Sequence, residues 1–128
     1  MTLEIGLSHT LTRTVTASVT ANAMRSGTLN VLATPALGAW MEECCMECVA
    51  PALGEGETTV GIHLDLSHEA PTPVGGEVRV ECFLRSVEGR KLTFAFTATD
   101  KGGIIGRGSH QRFIVDAARF QAKCDSKK

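Results

Sequence analysis

The stretch TPALGAWMEECCMECVAPAL, residues 34–53, predicts one long helix that the rest of the chain must enclose. Thr34 is the predicted N-cap, Pro35 suits the first helical position, and two glycines soon follow as a stop signal. At about 100° per residue, Glu43 and Glu47 share one side, whereas mostly apolar or small residues cover the other sides. A helix that is apolar over so wide an arc is predicted to be buried on most sides.

The chain on either side of this helix predicts strands. Residues 10–20 alternate between Thr and Val closely enough to predict a first strand, followed by a loop over 21–33. Beyond the helix, apolar residues recur at every second position in four further stretches, 58–68, 77–87, 91–100 and 104–116. Mostly short links containing Gly or Pro join these stretches, which favours antiparallel neighbours. The predicted class is therefore α+β, an antiparallel five-stranded sheet wrapped around one long central helix.

Bulk composition excludes several classes of protein. The 128 residues, 43% hydrophobic and 21% charged, predict a single domain over 1–128 with a polar C-terminal tail at about 117–128. A net charge of −1 gives no sign of a nucleic-acid or membrane partner, and no apolar run is long enough to span a bilayer. The N-terminal residues do not resemble a signal peptide, so the default expectation is an intracellular, cytoplasmic protein.

The cysteines predict free thiols. Their number, five, is odd, which fits a reducing compartment better than a disulfide framework. Cys45 and Cys48 form a C-x-x-C pair, but no second pair follows at zinc-ligand spacing, so no metal site is expected. We interpret Cys44 and Cys48, four residues apart, as small apolar residues on one helix face.

Three polar residues stand where the pattern calls for small or apolar ones: Thr34, Glu42 and His68. Thr34 begins the helix, Glu42 lies near the border of its buried arc, and His68 ends the second strand. Burying such groups is costly unless they bond to one another or to a ligand. Together they suit acyl transfer or hydrolysis, since a Glu–His pair can act as general base and a hydroxyl can attack or align water.

Each of these residues also has a structural interpretation. Thr34 alone is typical of a helix cap, Glu42 of a boundary carboxylate that reaches solvent, and His68 of a hydrogen-bonded core or interface histidine. His110 is ambiguous, because glycines weaken the alternation around it. The alternation over 58–68 predicts that Val60, Ile62, Leu64 and Leu66 share the inner face of the strand and that Gly61 lies on the outer face. Gly61 also interrupts a good strand and predicts a bulge or a close backbone approach.

With these residues in place, the chain resembles the fluoroacetyl-CoA thioesterase-like family of hotdog-fold thioesterases. The similarity runs over about residues 10–118. It includes Ala33-Thr34-Pro35 at the helix start, Met41-Glu42, the strand from Val60 to His68, the Pro73-Val74-Gly75 turn, and Gly106-x-Gly108-x-x-x-Arg112. Segment 23–29, before the helix, lacks the aromatic residues that form a lid in the fluoroacetyl-specific member.

The resemblance implies an acyl-CoA thioesterase that acts on a small or modest acyl group and needs no metal or redox cofactor. Thr34, Glu42 and His68 become the catalytic set. Gly61 would lend its backbone N–H to the thioester or acyl group, and Arg112 would help hold the pantetheine or phosphate part of coenzyme A. The family further implies a homodimer or higher homo-oligomer with its pockets between subunits. Two alternatives stay open, a non-catalytic acyl-CoA or small-ligand binding protein and an enoyl-CoA hydratase-like hotdog enzyme.

Overall fold

A computed structural model describes residues 2–128. The helices are α1 (Ala21–Met24), α2 (Thr34–Val49) and α3 (Ala117–Asp125), with single 3₁₀ turns at Ala17–Val19 and Ala50–Ala52. The strands are β1 (Ser8–Thr14), β2 (Glu57–His68), β3 (Glu77–Glu88), β4 (Lys91–Asp100) and β5 (Gly103–Asp116). The four strands predicted after the helix are thus confirmed to within a residue at each end, and the polar tail forms α3.

The five strands make one antiparallel sheet in the order β1-β3-β4-β5-β2. Helix α2 packs against its inner face, as the sequence predicts. This face contributes the buried side chains Val78, Val80, Cys82, Leu84, Leu92, Phe94 and Phe96. The helix contributes Leu37, Met41, Cys44, Cys45, Cys48 and Val49, all no more than 4% exposed. Strands β1 and β2 lie at the two edges of the sheet.

Glu43 and Glu47, the predicted polar stripe of α2, lie over the β1 edge. Arg13 NH2 donates to Glu43 Oε2 at 2.7 Å, and His9 Nε2 lies 3.0 Å from Glu47 Oε1. All four side chains are partly exposed, so these contacts orient the helix more than they stabilise the fold.

The first strand is shorter than predicted, since it ends at Thr14 and not near residue 20. The chain leaves the sheet for the 3₁₀ turn at Ala17–Val19, and Thr20 then caps the short helix α1, where its side chain accepts a hydrogen bond from the Ala23 N–H at 3.2 Å. The predicted loop over 21–33 therefore begins with α1. An isolated bridge between Thr20 and Leu32 then returns the chain to the start of α2.

Both ends of the long helix also differ from the prediction. Ala33 is the N-cap and Thr34 is the first helical residue, so the expectation that Thr34 caps the helix is wrong. At the other end, α2 stops at Val49 rather than Leu53. Pro51 has no N–H to donate, so the chain continues as a 3₁₀ turn over Ala50–Ala52.

Strand β2 contains a bulge where the sequence predicts one, with the register shifting between Gly61 and His63. Before the bulge, Thr59 and Gly61 face the helix; after it, Leu64 and Leu66 do.

Because the bulge changes which side chains of β2 face the helix, one prediction about this strand is wrong. Val60 and Ile62 do not share the inner face with Leu64 and Leu66, and Ile62 is 50% exposed. Gly61, expected on the outer face, lies on the inner one. A strict two-residue alternation missed this because the extra residue of a bulge moves every earlier side chain to the opposite face.

None of the helices described, from α1 to α3, is long and apolar enough to cross a membrane.

Candidate active site

Thr34 and His68 meet at one end of the helix. Thr34 Oγ1 lies 2.8 Å from His68 Nδ1, although the two residues are 34 positions apart in the chain. Thr34 is the first residue of α2 and His68 the last of β2. Ala33 occupies the cap position, and the Thr34 hydroxyl contacts the imidazole.

Only one of the two nitrogens of the His68 imidazole has a hydrogen-bond partner in the part of the chain that the structure describes. Its Nε2 atom is buried and has no hydrogen-bond partner among residues 2–128. A buried polar atom without a partner is uncommon in folded proteins and indicates a missing ligand or solvent contact. Burial lowers the pKa of His68 below its usual value of 6.5, so the imidazole is neutral at pH 7.

Glu42 belongs to a second group of side chains, two turns further along α2. Its Oε2 lies 3.9 Å from both His110 Nε2 and Arg112 NH1 on β5. The backbone of Gly61 closes the other side, since a Cβ placed there would lie 2.7 Å from Glu42 Oε2. The Glu–His approach in the described residues is thus between Glu42 and His110, not between Glu42 and His68.

Arg112 is held firmly beneath the carboxylate. Its Nε donates to Thr59 Oγ1 at 2.8 Å and its NH2 to the Thr59 carbonyl at 2.9 Å. NH1 lies 3.1 Å from His110 Nε2. Arg112 is 6% exposed, and burial lowers its pKa while Glu42 opposes that shift. It is therefore not a surface charge, and its predicted contact with coenzyme A stays a prediction.

A groove connects the two groups. It has a volume of about 450 Å³ and is lined by Thr34, Pro35, Gly38, Ala39, Glu42, Leu64 and Leu66. Thr34 and Glu42 are eight residues apart on one helix, which corresponds to about 12 Å along its axis. Gly38 lies between them, and a Cβ there would already approach Leu64 Cδ2 to 3.3 Å. The two polar side chains thus frame an apolar trough without touching.

His110 is a site residue that the sequence left ambiguous. On β5 it shares the helix-facing side with Arg112 and the buried Ile114. Two polar residues at inward positions of a strand are the signal that could have identified this pair. Neighbouring glycines at 106 and 108 obscured it, because they have no side chain to mark the alternation.

The cysteines lie away from this groove. Within residues 2–128 all five are free; Cys44, Cys45, Cys48 and Cys82 are buried and Cys124 is exposed. The prediction that Cys44 and Cys48 pack in the core is confirmed. In this part of the chain, no three His, Cys, Asp or Glu residues are grouped so that they could hold a metal ion.

Comparison with known proteins identifies a family whose sequences match this chain. Residues 15–118 match a family model described as fluoroacetyl-CoA-specific thioesterase. The fluoroacetyl-CoA thioesterase of Streptantibioticus cattleyicolor is 39% identical over 97 residues, which are 76% of this chain and 70% of that protein.

Solved structures agree with the sequence matches. A variant of a fluoroacetyl-CoA thioesterase in complex with acetyl-CoA superposes with a TM-score of 0.94 at 31% identity, covering 98% of this chain and 99% of the other. A hot-dog-like protein from Thermanaerovibrio acidaminovorans superposes with a TM-score of 0.89 at 21% identity, covering 98% of this chain and 93% of the other. The latter likeness concerns the fold alone. The predicted hotdog architecture is confirmed.

Proposed function

Because this chain belongs to the fluoroacetyl-CoA-specific thioesterase family, we propose that it hydrolyses a small acyl-CoA thioester with Thr34, His68 and Glu42. As a member it is a thioester hydrolase, and the family resemblance predicted in the sequence is confirmed. The roles of individual residues and the size of the acyl group are our proposal.

One observation carries the proposal most directly, the 2.8 Å contact between Thr34 Oγ1 and His68 Nδ1. A threonine hydroxyl is a poor nucleophile until a neighbouring base takes its proton. The lowered pKa of His68, due to burial, keeps the imidazole neutral and able to accept that proton. The Nε2 atom of His68 has no partner among residues 2–128, which leaves this nitrogen for a hydrogen bond to a ligand or water.

The reaction then follows the usual course of acyl transfer. The Thr34 oxygen attacks the thioester carbonyl carbon while its proton passes to His68 Nδ1. The carbon–sulfur bond breaks, and the thiolate of coenzyme A leaves with that proton. Water cleaves the resulting ester, releasing the free acid and the Thr34 hydroxyl. No metal or redox cofactor enters any of these steps.

Glu42 and Gly61 serve the other end of the groove. The Glu42 side chain is 44% exposed, so its carboxylate can reach water or a ligand in the groove. It is the base proposed for the water step, and it would act on the Thr34 ester through water in the groove, because about 12 Å of helix axis separates the two residues. Gly61 is proposed to offer its backbone N–H to the acyl group at this end of the groove, since its backbone lies directly against Glu42.

We further propose that two copies of the chain assemble over this groove. Strand β2 is a 12-residue edge strand, and Ile62 and Leu64 are 50% and 37% exposed on it. Such an edge is a template for pairing with another strand. A second copy would cover the groove that Thr34 and Glu42 line and shield the thioester from bulk water. We place the protein in the cytoplasm, where free thiols persist.

The acyl group is expected to be small or modest. The groove is narrow between its polar ends, because Leu64 packs so close to Gly38 that a Cβ there would lie 3.3 Å from Leu64 Cδ2. Segment 23–29 has no aromatic residue, so we do not expect strong selection for a fluorinated acyl group.

The test is the release of free coenzyme A from acetyl-, fluoroacetyl-, propionyl- and hexanoyl-CoA, followed with a thiol reagent. We expect turnover that is highest for a short acyl group, with less than about tenfold preference between fluoroacetyl- and acetyl-CoA, since a pocket without specific contacts discriminates weakly. Binding without thiol release would support the non-catalytic alternative. Conversion of crotonyl-CoA to a hydroxyacyl-CoA would support the hydratase alternative.

A further inference from the structure

His110 is the most buried of the four histidines, and the proposed mechanism does not use it. It lies on β5 with 1% of its surface exposed, beneath α2. Phe94 of β4 stacks against its ring, with the centroids 6.4 Å apart and the planes 28° from parallel. A buried imidazole has to satisfy both of its nitrogens, and here each has a protein partner.

The two partners fix the protonation state of the ring. Nδ1 lies 2.7 Å from the carbonyl oxygen of His63, which can only accept, so Nδ1 carries a hydrogen. Nε2 lies 3.1 Å from NH1 of Arg112, which can only donate, so Nε2 has a free lone pair. The neutral tautomer with its hydrogen on Nδ1 is the one form that satisfies both contacts.

Each contact reaches a feature that shapes the surroundings of Glu42. The His63 carbonyl belongs to the bulge of β2, whose displaced backbone brings Gly61 against the Glu42 carboxylate. Arg112 is the cation 3.9 Å from Glu42 Oε2, and His110 holds the one guanidinium nitrogen that Thr59 does not. The imidazole therefore links the bulge on one side to the arginine on the other.

We propose that His110 is a positioning residue, whose neutral imidazole ties the β2 bulge to Arg112 and thereby sets the place of the Glu42 carboxylate. This inference rests on the proposed role of Glu42 in catalysis. His110 does not touch the groove itself, so its effect is exerted through Glu42 and not on substrate directly.

Protonation of the His110 ring would break its contact with Arg112. A hydrogen on Nε2 would face the NH1 donor of Arg112, and the hydrogen bond between them would be lost. The charged or titratable side chains near the ring are Glu42 from α2, Arg112 from β5 and His63 from β2, while β4 contributes the uncharged Phe94. Burial lowers the pKa of His110, which is consistent with the neutral form that the contacts require.

A double-mutant cycle distinguishes positioning from a general structural role. The variants are His110→Leu, Glu42→Gln and both together, with His9→Gln on the opposite edge as the matched control. We expect His110→Leu to lower kcat at least about tenfold with KM for acetyl-CoA within about twofold. In the Glu42→Gln background the same change should have almost no further effect on kcat, because the group it positions is gone.

Two outcomes would distinguish the positioning role of His110 from the proposed role of Glu42. An equal loss of kcat in both backgrounds would overturn the positioning role while leaving the proposed function intact. Full turnover by Glu42→Gln alone would instead overturn the proposed role of Glu42, and the positioning role with it.

A second variant guards against a folding defect. His110→Gln keeps an acceptor that can reach Arg112, so it should recover most of the kcat lost in His110→Leu and restore the wild-type melting temperature. If His110→Leu does not fold, His110→Asn replaces it in the cycle, since its shorter amide can bond the His63 carbonyl but does not reach Arg112. Failure of Gln to recover kcat above the Leu or Asn variant would contradict the proposal.

Discussion

Gly61 and Glu42 are so close that a single methyl group does not fit between them. A Cβ on Gly61 would lie 2.7 Å from Glu42 Oε2 and 3.1 Å from His110 Cε1. The glycine is thus part of the wall that positions the carboxylate, and the bulge in β2 brings it there.

Gly61→Ala should therefore impair catalysis more than folding. The nearest atom is the end of a flexible side chain, so the carboxylate can move aside, but it then leaves its place in the groove. We expect kcat to fall on the order of 10- to 100-fold, since small displacements of a catalytic group have effects of that size. Gly102→Ala is the control, because its Cβ would meet only the Asp100 carboxylate, at 3.3 Å. Unchanged kcat in Gly61→Ala would contradict the assignment of Glu42.

The pH dependence of kcat/KM should report His68. Burial lowers the pKa of His68 below 6.5, so the imidazole stays a neutral base to a lower pH than an exposed histidine would. Activity is expected to hold from pH 8 down to pH 6.5 and to fall as pH decreases through the lowered pKa. A profile of kcat/KM from pH 4.5 to 8.5 checks this. An acid limb with its midpoint above pH 6.5 would contradict it.

The sequence alone predicts the strands with a regular two-residue repeat well, and it predicts the irregular bulge only in part. Strands β2 to β5 repeat every second residue, so their bounds follow from the pattern within a residue. The sequence also marks Gly61 as a place of bulge or close approach. The sequence does not show which residues change face there, because the position of a bulge also depends on the register of the partner strand.

The candidate site could likewise be predicted only in part. Thr34, Glu42 and His68 stand out as polar residues in an apolar pattern, and the structure brings Thr34 and His68 into contact. Their pairing with particular neighbours depends on the register of β2 against β5, which no local pattern specifies. For that reason the approach of Glu42 to His110 and Arg112 could not be predicted.

A thiol titration tests the packing of the core. Four cysteines are buried and Cys124 is exposed. The pKa of the Cys44 thiol is raised by its neighbour Cys82 and by burial, so the reactive thiolate is suppressed. A disulfide exchange reagent should therefore modify one thiol per chain rapidly in native buffer and all five after unfolding in guanidinium chloride. Rapid reaction of two or more thiols in the native protein would contradict this packing.

A charge on the free edge of the sheet should prevent assembly. Ile62→Lys changes a side chain that is 50% exposed in one copy, so the fold of the single chain should tolerate it. On the proposed β2 pairing it would place like charges at the contact, and a shift from dimer to monomer with loss of turnover is expected. Ile104→Lys, 45% exposed on the interior strand β5, is the matched control and should leave the dimer unchanged.

Light scattering after size-exclusion chromatography gives the mass of each variant. A wild-type protein that is monomeric at micromolar concentration and fully active would contradict the assembly.

The central claim, that the Thr34 hydroxyl activated by His68 performs the hydrolysis, is tested most directly by replacing Thr34. The measurement is kcat for coenzyme A release from acetyl-CoA by Thr34→Ala and Thr34→Ser, with the melting temperature of each variant recorded. We predict that Thr34→Ala lowers kcat at least about 100-fold while the fold is retained, and that Thr34→Ser, which keeps the hydroxyl, stays within about tenfold of wild type. Wild-type turnover by Thr34→Ala would contradict the account.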